Sequence, residues 1–368
     1  MTTFGIDSRY RYKRSRGWKN HAPSVSPQRA CFDARWIGAH GIGRFANEIR
    51  SRAHSFHNVQ IAGLPVDLLD SVRLGRFLRR TKPGLYFNPG YTVPVGANCP
   101  VVPTIHDLIH LHFPGHHSFA KKTYYLGLQR PIIRRCELVV TVSDYSKSMI
   151  VDWYGIDPGK VLVLGNAASD EFSPEGPRIS GRPPFFLCIA NEKPHKNLVR
   201  LLKSFAKIAG QVVHQLVLVL PSVDRLPTVA ADFGIFDRVE FVRGLSNPDL
   251  AMYYRSAECL VFPSLQEGFG LPAVEAMASG CPVLAANASA LPEVIGDAGT
   301  YFDPYCVESL ADALLSVARD ELPLSRMRVK GVTQAAKFSW QAYAQCLEER
   351  LNDCFSFESL NSTGGHVA

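Results

Sequence analysis

Short apolar runs alternate with segments of helical spacing twice along this chain, and the two series are separated by one stretch that suits neither element. That stretch, residues 173–184 (SPEGPRISGRPP), holds four prolines and two glycines and is expected to be an interdomain linker. Before it the candidate strands are ACFDA (30–34), NVQIAG (58–63), GLYFNP (84–89), VVPTIH (101–106), LVVTVS (138–143) and KVLVLG (160–165). After it come FFLCIA (185–190), QLVLVLP (215–221), VEFVRG (239–244), CLVFP (259–263), PVLAAN (282–287) and TYFDP (300–304). Strand–helix–strand repetition implies a parallel sheet with helices on both faces. The expected fold is therefore α/β, with Rossmann-like domains at 30–172 and 185–338 and a cleft between them. Parallel sheets bind ligands beyond the carboxyl ends of their strands, so the loops after the strands are where chemistry belongs.

The 368 residues fit two domains of roughly 150 each. A last helix is expected over 339–355, where Trp340, Tyr343, Leu347, Leu351 and Phe355 follow helical spacing. The polar residues 356–368 read as a disordered tail. Of the net charge of +7, residues 1–29 carry six, with seven Lys or Arg against Asp7 alone. The folded part is thus nearly neutral, and nucleic acid is not an expected partner. The basic tail fits either a disordered appendage or an arm touching anionic lipid or nucleic acid.

No apolar run reaches the length of a signal peptide or a membrane span, which points to a cytoplasmic protein. Nine scattered cysteines without a CxxC pair read as small buried hydrophobes of a reducing compartment. His110, His112, His116 and His117 cluster near His106 but lack cysteine or carboxylate partners at ligand spacing, so no metal is expected.

The stretch FPSLQEGFGLPAVEAMASG (262–280) carries the sharpest chemical signal. Pro272 suits the start of a helix and Gly280 the position just past its end, which predicts about two turns between them. Glu267 precedes that N-terminus and Glu275 is expected on its first turn. A helix start favours anions; two carboxylates there fit a ligand offering hydroxyls to them and phosphates to the amides. Lys193, His195 and Lys196 raise the converse puzzle, since they crowd the start of a helix that Asn197 can cap. Cations there are unfavourable by several tenths of a kcal/mol each unless an anion intervenes. A diphosphate leaving group would supply that anion; a solvated charge cluster is the plain alternative.

In the first half, Gly41, Gly43 and Ala46 form G-x-G-x-x-A. The acidic residue that a dinucleotide fingerprint wants after the second strand is missing, which leaves a glycine loop near phosphates or an ordinary tight turn. His106 ends the fourth strand and fits either a group aimed into the cleft at a sugar hydroxyl or proton, or a structural histidine.

Taken together, EGFGLPAVEAMASGCPVLAANASALPEVIGDAG (267–299), FDARWIGAHGIGRFANEI, TIHDL, TVSDYS, VLGNAA and KPHKN resemble glycosyltransferase family 4, whose members have the GT-B fold and retain anomeric configuration. The resemblance runs from about Ala30 to Phe355. It implies that Glu267 lies by the transferred sugar, that Glu275 holds the nucleotide ribose and that Lys196 neutralises the diphosphate. It also implies that amides near Gly41 and Gly43 and over Phe269, Gly270 and Leu271 meet phosphate and sugar. His106 contacts the donor sugar, and the final helix crosses back to the first domain. Relatives carry Gly-Arg or Gly-Thr where this chain has Ala190–Asn191, so a second donor-binding arginine is missing there and Lys193 is the substitute. Pro221 stands where relatives often have glycine at the base contact.

The expected reaction is transfer of a hexose from a nucleotide sugar, without metal or other cofactor, to a glycan or polyprenyl-linked oligosaccharide. GDP-mannose is the favoured donor because KPHKN and NASALPEV resemble bacterial mannosyltransferases of surface polysaccharide assembly. A UDP-sugar donor and a non-catalytic nucleotide-sugar-binding protein are the alternatives. Residues 121–135 (KKTYYLGLQRPIIRR) mix basic and apolar side chains as a membrane-surface helix does, with Pro131 expected to interrupt it; a helix merely covering the first sheet fits as well.

Overall fold

The computed structural model describes residues 30–355 apart from 39–40, 60, 62, 66, 68 and 113–122. Both expected tails, His116, His117, Lys121 and Lys122 lie outside the described residues. Each apolar run of the sequence pairs in a sheet: β1 Ala30–Phe32, β2 His57–Asn58, β3 Leu85–Asn88, β4 Val101–Pro103, β5 Val139–Thr141 and β6 Val161–Val163. The second series is β7 Phe185–Ile189, β8 Gln215–Val219, β9 Val239–Val242, β10 Cys259–Phe262, β11 Val283–Ala286 and β12 Gly299–Phe302. The central strands, such as β7, β10 and β11, are apolar and buried along nearly all their length because helices cover both faces of a parallel sheet, leaving no solvent side to alternate with. β2 is shorter than NVQIAG suggested. It is an edge strand, and the chain turns away through Gly63 (φ +90°) toward the buried Pro65.

The second sheet runs β12-β11-β10-β7-β8-β9, every pair parallel. The order reverses direction between β7 and β10, which is the Rossmann topological switch point. The first sheet runs β2-β1-β3-β4, and a parallel bridge from Thr104 to Val140 continues it to the β5-β6 pair. Its switch point lies between β1 and β3. Two Rossmann-like sheets therefore present their carboxyl-end loops to a common cleft.

The final helix runs Trp340–Phe355, one residue shorter than the stretch read from the sequence, and packs back against the first half. Trp340 meets Phe45 edge-on at 6.1 Å, Ser55 donates to Glu348, and Arg350 donates to Gly159 O at 2.9 Å. Residues 173–184 form neither helix nor strand and are held along the second half. Arg255 donates to the carbonyls of Ser173 and Pro177, and the Ile179 amide to Ser256 Oγ.

Pro131 does not interrupt its helix. Tyr124–Gln129 is a π-helical stretch that runs into an α segment, Arg130–Ile133, and the Arg130 amide reaches back five residues to Tyr125 O. The change of register puts Pro131 at the opening of the α segment, where a missing N–H costs nothing. Gln129 anchors the junction, donating to Tyr91 O at 2.6 Å and accepting from Tyr154 at 2.5 Å.

Candidate active site in the cleft

The loops after β7 and β10 flank the switch point of the second sheet and carry Lys196 and Glu267. Asn191 Oδ1 accepts the Lys193 amide at 3.2 Å, and Pro194–Lys196 then makes one 3-10 turn. Asn197 stands where a cap was expected, at the head of the Leu198–Ile208 helix, but its side chain does not cap. With φ +60° it turns its amide to Pro263 O at 3.0 Å and Pro304 O at 2.9 Å, stitching the β7 loop to the loops after β10 and β12. The Leu265 amide donates to His195 O, a second stitch, and the His195 side chain is buried rather than joining the cation cluster. Lys193 is exposed.

These bonds deliver Lys196 Nζ to 2.6 Å from Glu267 Oε1, with the two side chains only 16% and 10% exposed. The cation ahead of the helix is thus answered by a carboxylate of this chain, where the sequence pointed to a diphosphate. Glu267 is anchored in turn by its amide, which donates to Ser289 Oγ at 2.9 Å.

The next helix is Leu271–Ala278, with Gly270 before it at φ +105° and Gly280 after it at φ +66°. A Cβ on Gly270 would sit 2.7 Å from Leu291 Cδ2. The Phe269 ring packs edge-on against Phe338 at 5.5 Å, so over Phe269–Leu271 it is backbone, not the buried ring, that can serve a ligand. Glu275 is the fifth residue of this helix, just past the first turn where it was expected, and 3% exposed. Tyr254 donates to its Oε2 at 3.0 Å, and Arg44 of the first half forms an ion pair with its Oε1.

The first half closes over this loop. Ser143 Oγ and Ser146 Oγ donate to Gly268 O at 2.5 and 3.0 Å, and Ser146 Oγ also lies 3.0 Å from His106 O. A Cβ on Gly268 would stand 2.5 Å from that same His106 carbonyl. The loops bearing His106 and Glu267 are therefore in contact. His106 Nε2 donates to Pro89 O at 2.8 Å, which fixes the proton on that nitrogen, and the ring meets Phe45 edge-on at 5.0 Å. Gly41 and Gly43 open the Gly41–Arg52 helix, and only Gly43 is sterically required. Its Cβ would fall 2.3 Å from Gly38 O, whereas Gly41 has nothing within 4 Å.

Glu293 accepts the amides of Asp144 and Tyr145 at 2.8 and 3.0 Å, so a carboxylate of the second half caps a helix of the first. Burial raises its pKa, and those two amide bonds oppose the rise. Sequence reasoning missed Arg44, Tyr254 and Glu293 as parts of the site. Arg44 could have been flagged by its place directly after Gly43. Nothing local marks Tyr254, which matters only because its helix packs beside Glu275. Among the described residues, no group of three or more His, Cys, Asp or Glu stands together as metal ligands, and no helix is long and apolar enough to cross a membrane.

A buried lysine–carboxylate pair beside a helix start, with a second carboxylate one helix turn inward, can receive both the anionic and the hydroxylated ends of a ligand. The family model described as Glycosyltransferase Family 4 matches residues 28–172, and that described as Glycosyl transferases group 1 matches residues 169–336. The chain is 27% identical over 300 residues to O-antigen chain mannosyltransferase B of Escherichia coli, covering 77% of each protein. It is 30% identical over 237 residues to O-antigen chain mannosyltransferase RfbU of Salmonella typhimurium, covering 63% of this chain and 64% of that one. In fold it is similar to sucrose-phosphate synthase from Thermosynechococcus elongatus, with a TM-score of 0.73, 18% identity, and coverage of 91% of this chain and 100% of that one.

Proposed function

We infer the reaction from one premise: the chain belongs to glycosyltransferase family 4, has the GT-B fold and is a hexosyltransferase. The reading is transfer of mannose from GDP-mannose, with retention, to a glycan or lipid-linked oligosaccharide of surface polysaccharide synthesis. The observation that carries it is the Lys196–Glu267 pair at the switch point. Support for mannose comes from the two relatives, both described as O-antigen chain mannosyltransferases.

In this reading the donor diphosphate takes Lys196 from Glu267 and is stabilised by it and by the backbone amides around Gly270. Glu267, released, faces the hexose, and Glu275 takes the ribose. In this reading no side chain is assigned as a covalent nucleophile: the acceptor hydroxyl attacks on the face the diphosphate leaves, and a diphosphate oxygen takes its proton. Each lost charge contact costs on the order of 3 kcal/mol, or about a hundredfold in rate.

A thermal-shift screen of GDP- and UDP-sugars, followed by mass spectrometry of products with an oligosaccharide acceptor, tests the assignment. Stabilisation by GDP-mannose and a mass gain of one hexose are expected. Selective stabilisation by a UDP-sugar would move the donor assignment, and donor binding without product across an acceptor panel would leave only the binding-protein alternative.

In the same reading the acceptor is met at an anionic membrane surface on the cytoplasmic side. Leu126 and Pro131 line one cleft with Arg130, Arg134 and Arg135 on the outer side of the π-to-α helix, a mixture of apolar and cationic groups suited to an interface. Co-pelleting with vesicles containing anionic lipid, and not with neutral ones, is the expected result.

A further inference from the structure

Arg44 reaches its carboxylate from the opposite side of the cleft. It is the fourth residue of the Gly41–Arg52 helix in the first half, yet its guanidinium pairs with Glu275 and donates to Asn247 Oδ1 at 3.2 Å in the second. The guanidinium carbon also lies 5.8 Å from the centroid of the Phe172 ring. Asn247 opens the Asn247–Ser256 helix, which carries Tyr254, the hydroxyl donor to the other oxygen of Glu275. A carboxylate 3% exposed needs compensation. Tyr254 belongs to the same half as Glu275 and can give its bond at any cleft width. Arg44 can give its charge only when the halves are together.

The lone pairs matter here. An ionised carboxylate offers about four acceptor positions on its two oxygens. Tyr254 uses one on Oε2 and Arg44 approaches Oε1, which by count leaves two acceptor positions for two vicinal hydroxyls. We propose that Arg44 is a positioning residue for donor recognition: in the closed cleft it holds Glu275 charged and oriented for the ribose 2′ and 3′ hydroxyls, so that nucleotide capture and closure are one event. This rests on the assignment of Glu275 to the ribose.

The test is calorimetric binding of GDP and UDP and of their 2′-deoxy counterparts to the wild type, Arg44→Gln, Arg44→Lys and Glu275→Gln. The wild type is expected to prefer the ribonucleotide about tenfold, the worth of one hydroxyl bonded to a charged group. Arg44→Gln is expected to lose most of that preference along with about tenfold in ribonucleotide affinity, and Arg44→Lys to recover part of both. The preference is a ratio within one variant, so partial unfolding of a variant does not move it. Full wild-type preference in Arg44→Gln overturns the inference. If Glu275→Gln loses the preference while Arg44→Gln keeps it, Arg44 alone is misassigned. If Glu275→Gln keeps it, or the wild type binds neither nucleotide, the ribose assignment falls and the inference with it.

Discussion

The ammonium of Lys196 and the carboxylate of Glu267, from loops 71 residues apart, stand 2.6 Å from one another with little exposure of either. Each neutralises the other, so both charges are held at the switch point of the second sheet; under the proposed function a donor diphosphate exchanges partners with them. A buried pair of this kind is costly to break on one side, because the survivor is left charged and dry.

Lys196→Met should therefore do two things: lower turnover about a hundredfold and lower the melting temperature. The double variant Lys196→Met with Glu267→Gln should melt above Lys196→Met while staying inactive. Thermal melts of the four proteins form the cycle, with a coupling of about 1–3 kcal/mol expected. Additive melting effects would mean that the two groups do not share a pair in solution.

Gly268→Ala puts a methyl 2.5 Å from His106 O and 2.9 Å from Asp107 Cβ, the first of them backbone. The cleft has to widen to admit it. We expect a loss of about a hundredfold in kcat/KM from misplaced reacting groups, against about 1–3 kcal/mol in stability. Steady-state kinetics beside a thermal melt separates the two, and near-normal kcat/KM would show that closure at this point is dispensable.

Gly43→Ala and Gly41→Ala should behave in opposite ways although they stand two residues apart. The first drives a methyl into Gly38 backbone at 2.3 Å, while the second adds one in open space at the head of a helix. Gly41→Ala is expected to be neutral or to stabilise by about 0.5–1 kcal/mol, and Gly43→Ala to destabilise and weaken nucleotide binding. Chemical denaturation of both variants is the check.

His214 gives the protein an acid sensitivity remote from the cleft. Its ring stacks on Phe186 at 4.9 Å and 10°, and burial depresses its pKa below 6.5, with Glu258 opposing and Arg238 adding to the shift. The unfolded chain then takes up the proton first, so stability is flat above about pH 6.5 and declines as the pH falls below it. His214→Phe should flatten that decline. Melting temperatures of both proteins between pH 7.5 and 5.5, about a unit either side of an ordinary histidine pKa, give the comparison.

The strands and the last helix were legible because their signal is composition over a window. A parallel strand covered on both faces is an apolar run wherever it sits, and Trp340, Tyr343, Leu347, Leu351 and Phe355 recur at a helical period that only one buried face explains. Pro272 and Gly280 likewise marked the ends of their helix, Pro272 through its fixed φ and Gly280 through a backbone with φ above zero. Where local rules misled, a distant partner had won. Asn197 abandoned the cap for the carbonyls of Pro263 and Pro304, and Pro131 was accommodated by a π-turn that Gln129, Tyr91 and Tyr154 hold in place.

By itself the sequence determined that there are two parallel sheets, which loops end at their carboxyl edges, and that Lys196, Glu267, Glu275 and His106 lie in those loops or the helix that follows. These are properties of short windows, set by burial and backbone preference. Only the tertiary structure decided who meets whom: Lys196 with Glu267, Arg44 with Glu275, the amides of Asp144 and Tyr145 with Glu293, Ser143 with Gly268. The reason is physical. A charge or a hydrogen bond acts over a few ångströms of space, and which groups come within that reach depends on how two sheets close on one another, not on their spacing along the chain.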